Sequence, residues 1–497
     1  MSPLSPSSPR RLAPLAGLVL VLASCGNDPG SPPQDGSGEN GSQETTEIRE
    51  YEAEPVPEGS GGDTADDVNG DGFTDLLFIT DYDAENLDAD HLAAHDEFRR
   101  LMVVYGSADG LDPATRTVLP PRAVQDVSVS GRGGPGRVGT ADLDGDGFAD
   151  VPVWTGPGPD LIGGETDDPG DAAVVWGGPT GPDPDAEPTP LPVSSDEAWG
   201  PSYLAPVAGD FDGDGDADLA VAQESSLSTD GSLLRVLYGP FDRDGTPART
   251  AQRPLDGWLG DLVPEPLPDD GGPTRLLVRW GDDGEQPRNT LLLTGPGDPA
   301  AWEEADLRAG ALAAFADLDG DGESDMAIAD DGSRNNEPGY ETEEPEVDHR
   351  VNVYPGPTSA SPDEPVSGDL PREEDGESAV SSAHGLAACD LDGDGRDELA
   401  VGMHTRGVDL MRVADGEIAV DADARLVRQG PESGPLNDDT GTTREARVFS
   451  CGDFDADGSD ELVLVYGPGP FDTSPVRWWV TDGAEDESSF DSAGFTS

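Results

Sequence analysis

The chain is 497 residues long and carries 104 acidic side chains against 28 basic ones, a formal net charge of −76 at pH 7. That balance argues against nucleic acid as a partner, because binding phosphate needs a basic patch. Length alone suggests about three domains of ~150 residues, but repeats along the chain replace that estimate with one large body.

Residues 1–24 read as an export signal. Arg10 and Arg11 precede an apolar stretch from Leu12 to Ala23. As a helix at ~1.5 Å per residue it spans about 18 Å, short of the ~30 Å hydrocarbon core. It is therefore a signal segment and not a membrane anchor. It runs into LASC, ending at Cys25, which resembles the lipobox of bacterial lipoproteins. The resemblance implies cleavage before Cys25, lipidation of that residue, and an exported chain held by lipid at the cell membrane or outer membrane. The alternative is ordinary secretion with a free Cys25. Residues 25–60, rich in Gly, Ser, Pro, Gln and Glu, have too little apolar content to bury a core and read as a flexible tether.

Residues 61–497 carry the repeats. The first is DVNGDGFTD, in which the side-chain oxygens of Asp67, Asn69, Asp71 and Asp75 occupy positions 1, 3, 5 and 9. Gly72 at position 6 permits a turn that residues with a Cβ resist. This is the spacing of an EF-hand-like Ca²⁺ loop, with the backbone carbonyl of Phe73 at position 7 as a further ligand. The alternative for a single copy is a solvated acidic turn. Repetition decides between the two. The pattern returns with Asp142, Asp144, Asp146, Phe148 and Asp150, and again with Asp210, Asp212, Asp214, Asp216 and Asp218. It continues with Asp317, Asp319, Asp321, Glu323 and Asp325, then with Asp390, Asp392, Asp394, Arg396 and Glu398. The last copy holds Asp453, Asp455, Asp457, Ser459 and Glu461. Six such loops predict about six bound Ca²⁺ ions. Metal sites alone leave most of the net charge unexplained, and an acidic hydrated surface suited to a salty or divalent-rich exterior accounts for the rest.

Each loop is followed by a short apolar run of strand length, such as LLFI from Leu76, LAVA from Leu219 and LVLV from Leu462. Second runs such as LMVVYG at 101 and VNVYPG at 351 close on Gly, and RTVLP at 116 supplies a candidate fourth strand. Antiparallel four-stranded units repeated along a chain predict propeller blades. The interval between the loops at 210 and 317 is too long for one blade. Within it, residues 274–297 hold two strand-like runs without a loop, which predicts a degenerate fourth blade and seven in all. Segments such as GDFDGDGDADLAVA and ACDLDGDGRDELAVG resemble FG-GAP/VCBS repeats, the blades of the integrin α-subunit propeller and its bacterial relatives. The resemblance implies an all-β, seven-bladed propeller with Ca²⁺ in six blades and an adhesive or binding role. It does not carry integrin-type ligand recognition, because the FG and GAP signatures are eroded and no adhesion domain is inserted.

Other constellations are weaker. His91 and His95 have the i, i+4 spacing of a helical metal pair but no third ligand in register. Cys389 and Cys451 precede the fifth and sixth loops, on expected inner strands of neighbouring blades. A disulfide and two buried free thiols both remain open for them. No nucleophile and base arrangement is recognisable. If the Ca²⁺ loops join strands one and two of each blade, the long connections at 80–98, 155–171 and 330–349 lie on the opposite face, where binding function is expected. The reading is a surface-anchored Ca²⁺-binding propeller acting on an extracytoplasmic protein or glycan. Alternatives are a glycan-directed hydrolase or lyase and a purely structural envelope protein.

Overall fold

The structure is a computed structural model that describes residues 51–495, except for 82–98, 121–135, 138, 156–170, 194–203, 225–230, 268–270, 282–285, 335–342, 357–363, 372–382, 404–405, 415, 422–423, 431–444, 467–475 and 484. Cys25, the signal segment, and the His91/His95 pair lie outside the described residues. So do most of the three long connections expected to carry binding.

Seven antiparallel sheets follow one another along the chain, six of four strands and one of three. They form the seven-bladed propeller expected from the repeats. Blade three shows the pattern, with strands Val207–Gly209, Asp218–Glu224, Ser232–Phe241 and Pro247–Leu255 paired in sequence. Blades five, six and seven repeat it, each with its acidic loop joining the first two strands. In blade two, an isolated bridge between Ala141 and Asp150 stands in for the inner strand pair. Blade one borrows its inner edge from downstream, where Gly136–Arg137 pairs with Leu76–Asp81. Blade four, which lacks the loop, is complete, with Leu259–Pro264, Leu276–Trp280, Asn289–Leu293 and Glu303–Leu307.

Successive side chains of a strand point to opposite faces of its sheet, and here both faces are buried. In blade one, Phe78 faces blade seven while Leu77 and Ile79 face blade two. The buried apolar side chains form seven clusters, each shared by two neighbouring blades. One of them joins blade seven to blade one and closes the ring. It is aromatic, with Trp478 tilted against Phe78 at 4.2 Å between ring centroids and edge-on to Phe449 at 4.9 Å. Tyr51 is buried in this same seam, and its N–H donates to Gly494 O. The packed part of the chain thus begins within the stretch read as tether, ahead of residue 61.

Cys389 ends the inner strand of blade six and Cys451 stands one residue before the end of that of blade seven, and they are bonded, with Cα atoms 5.8 Å apart. Of the two possibilities that sequence left open, the structure takes the disulfide.

Candidate metal loops

Each of the six loops is closed at its base between the residue before position 1 and position 9. Gly209 pairs with Asp218, Ala316 with Asp325, Cys389 with Glu398 and Gly452 with Glu461. Ala141 bridges Asp150, and Asp75 N–H donates to Asp66 O. Inside the loop the position-1 carboxylate organises the turn. Asp210 Oδ1 accepts from the N–H groups of Gly213 and Asp214, and its Oδ2 accepts from Gly215. Asp67, Asp142 and Asp317 repeat that set, and Asp390 and Asp453 keep the bonds to positions 5 and 6. Positions 4 and 6 both take positive φ, for instance 74° and 93° at Gly213 and Gly215. Glycine adopts this conformation freely. The last loop departs, with Ala456 at position 4 holding φ 58°.

The candidate ligands converge. Ligand oxygens of Asp210, Asp212 and Asp218 lie within 4.8 Å of one another, as do those of Asp317, Asp319 and Asp325. Asp142, Asp144 and Asp146 form a third such group, and Asp390, Asp392 and Asp394 a fourth. The position-5 carboxylate accepts the N–H of position 7 in all six loops, where Phe73, Phe148, Asp216, Glu323, Arg396 and Ser459 stand. The decisive atoms are at position 3. Oδ1 of Asp144, Asp212 and Asp319 is buried and accepts no hydrogen bond. A buried, unpaired carboxylate oxygen costs free energy, and a hard cation bound among these oxygens would remove that cost. Carboxylates already accepting N–H bonds keep lone pairs for a metal. The residues present therefore fit Ca²⁺, which takes six to eight oxygen ligands.

Position 9 has a second task that the sequence did not reveal. Asp218 Oδ2 accepts from Phe211 N–H at position 2, and its Oδ1 accepts from Gly239 at the end of the next strand. Asp75, Asp150 and Asp325 make the same two ties, to Val68 and Gly106, Leu143 and Gly177, and Leu318 and Gly356. Burial pushes these acids up, with Asp150 and Asp218 at about 7, Asp325 at about 6, Glu398 at about 7 and Glu461 at about 8. Neighbouring loop carboxylates push in the same direction.

Positions 2 and 8 link the loops to neighbouring blades. The position-2 side chains Val68, Leu143, Phe211, Leu318, Leu391 and Phe454 are all buried between blades. Their signal was present in the sequence as the constant apolar residue between positions 1 and 3. At position 8, Asp397 ties to Asp317 of the preceding blade, donating its N–H to Asp317 O and accepting Asp317 N–H. Asp460 does the same to Asp390. In loopless blade four, Thr274 takes this role toward Asp210.

A further acidic group, Asp330, Asp348 and His349, has ligand atoms within 4.8 Å. It is organised by Arg334, whose guanidinium bonds both carboxylates at 2.7–2.9 Å.

No family model matches the chain, and no curated protein matches it. Among solved structures, a mutant of the Synechocystis apocarotenoid oxygenase aligns over 90% of this chain and 94% of its own at 10% identity, with a TM-score of 0.38. A rhamnogalacturonan lyase of Bacillus licheniformis aligns over 87% of this chain and 65% of its own at 13% identity, with a TM-score of 0.23. Likeness at that level identifies no shared chemistry.

Proposed function

We propose that the protein is an exported, lipid-anchored propeller of the FG-GAP/VCBS type, braced by about six Ca²⁺ ions and serving as a binding or adhesion module. The observation that supports the metal reading is the set of buried, unpartnered position-3 oxygens at Asp144, Asp212 and Asp319. They stand in loops whose position-1 and position-5 carboxylates already accept backbone N–H groups. When bound, Ca²⁺ would supply positive charge and oxygen coordination to acids that otherwise repel one another. Binding falls to the face opposite the loops, where a rigid scaffold carries long, dissimilar connections. The partner class is an extracytoplasmic protein or glycan, and the membrane is reached through Cys25.

Metal analysis of the purified protein after dialysis against Ca²⁺ tests the core of this reading. About six ions per chain are expected, and Asp144→Ala should remove one. A count near zero overturns it. Cys25→Ser should move the protein from the membrane to the soluble exported fraction, and an unmodified Cys25 in mass spectrometry would overturn the anchor. A screen against glycans and envelope fractions tests the binding role, and turnover of a substrate in place of retention would replace it with an enzyme.

A further inference from the structure

We infer that Arg243, Arg249 and Arg412 are built-in counter-cations that make the loops at 142, 210 and 390 less dependent on bound metal than those at 67 and 453; this rests on the calcium reading above. Arg243, from the third blade, places its guanidinium against both Asp144 and Asp146, positions 3 and 5 of the neighbouring loop. Arg249 reaches Asp212, position 3 of its own blade's loop, at 2.7 Å. Arg412 spans positions 3 and 9 of its loop, with Asp392 at 2.8 Å and Glu398 at 2.7 Å. Among the described residues, ion pairs to the ligand carboxylates come from these three arginines alone.

Two features separate this arrangement from ordinary surface pairing. Two of the three arginines leave a position-3 oxygen open. Arg243 and Arg249 each take Oδ2 of the position-3 aspartate, while Oδ1 of the same group stays buried and unpaired. In both loops the guanidinium offsets charge while one position-3 oxygen stays free for a metal. Blade four shows the limit of the same series. Its first two strands are joined without a D-x-D-x-D-G loop, and there Arg275 bonds the buried Glu265 through Nε at 2.9 Å and Nη2 at 2.6 Å. Arg275 Nη2 also donates to Ser324 O, at position 8 of the next loop. An arginine has become the cation of that blade.

The consequence has a definite sign. In the metal-free loop the guanidinium lowers repulsion among clustered carboxylates. In the metal-bound loop the same charge opposes Ca²⁺. Removing it destabilises the metal-free protein more than the metal-bound one, and by linkage tightens Ca²⁺ binding at that loop.

The test compares wild type, Arg243→Gln, Arg243→Lys and Arg249→Gln in thermal melts with chelator and with saturating Ca²⁺, alongside calorimetric Ca²⁺ titration. Arg243→Gln should widen the Ca²⁺-induced rise in Tm and tighten one site about 3- to 10-fold. Arg243→Lys should restore wild-type behaviour, because charge and not the stacking on Trp176 carries the effect. Arg350→Gln, whose partner Asp369 lies away from the loops, should leave the shift unchanged. A variant that folds only with Ca²⁺ supports the inference. If Arg243→Gln fails to fold in both conditions, Arg249→Gln decides in its place. An unchanged or narrower shift in a protein that binds Ca²⁺ overturns the inference, whereas a wild type that takes up no Ca²⁺ overturns the calcium reading itself.

Discussion

The bridge between Cys389 and Cys451 can be removed chemically without altering any other atom, which makes it a clean probe of the ring. The two residues are 62 apart in sequence. For a loop of that size, the chain-entropy relation gives a stabilisation of about 4 kcal/mol at 25 °C, within the usual range of about 2–5. The folded state loses little when the bond is cut. Blades six and seven are still joined by a shared apolar cluster and by the two Asp390–Asp460 bonds. The cost should therefore appear as a larger entropy of the unfolded chain, with the native structure unchanged. Urea unfolding of oxidised and reduced protein, with the Cys389→Ala/Cys451→Ala double variant as a control, measures it. Thiol titration in denaturant before reduction should find neither of these cysteines reactive. Two reactive thiols at 389 and 451, or a difference below about 1 kcal/mol between oxidised and reduced forms, would refute the assignment.

Phe78→Ala removes a fully buried ring from the seam that joins blade seven to blade one, and should cost about 3–5 kcal/mol in chemical denaturation. A loss under about 1 kcal/mol would mean that this seam does not hold the ring. Ala456→Gly relieves the one loop that places a side chain at positive φ in position 4. A gain of about 0.5–1 kcal/mol is expected after the added chain entropy of glycine is offset, and a destabilised variant would show that the conformation is not strained. In chelator, Tm should fall as pH rises from about 4 to 8. Asp150, Asp218, Asp325, Glu398 and Glu461 hold their protons to higher pH in the fold than in the unfolded chain, so their contribution is full below the unfolded value and is lost through the folded one. Saturating Ca²⁺ should flatten that slope by taking the proton's place, and equal slopes with and without Ca²⁺ would refute the linkage.

The fold was legible because burial on both faces of each blade writes continuous apolar runs directly after a loop of fixed spacing. Leu76, Leu219 and Leu462 all begin central strands or sit one residue inside them. Blade four could be read from the strand run at 276 although its loop is gone. Three features were not legible for a common reason, which is that they depend on contacts between residues far apart in the chain. The pairing of Cys389 with Cys451 needs the stagger of two inner strands, and the two offsets from the loops gave no sign of it. The borrowed inner edge at Gly136–Arg137 is two residues long and has no pattern of its own. The arginines reach loops up to 99 residues away in sequence, and nothing local to Arg243 marks its partner.

Contacts between blades change what a metal would do in this ring. A loop at the tip of an isolated hairpin would brace only its own turn. Here the position-2 side chain is part of the core between two blades, and the position-2 carbonyl accepts an N–H from the next one. Gly178 donates to Val68 O, Phe241 to Leu143 O, Gly295 to Phe211 O and Ser107 to Phe454 O. The last of these crosses from blade one back to blade seven. Position 8 adds a second bond to the preceding blade, and position 9 anchors the loop to the end of the following strand. Drawing the position-1, -3 and -9 acids around one ion therefore fixes residues 2 and 8 between them, and residues 2 and 8 are the ones that hold neighbouring blades together. Loss of the ion from a single loop should loosen two seams while leaving the four strands of its own blade paired. Hydrogen exchange in chelator would then rise first at Gly178, Phe241 and Asp397, ahead of the central strands.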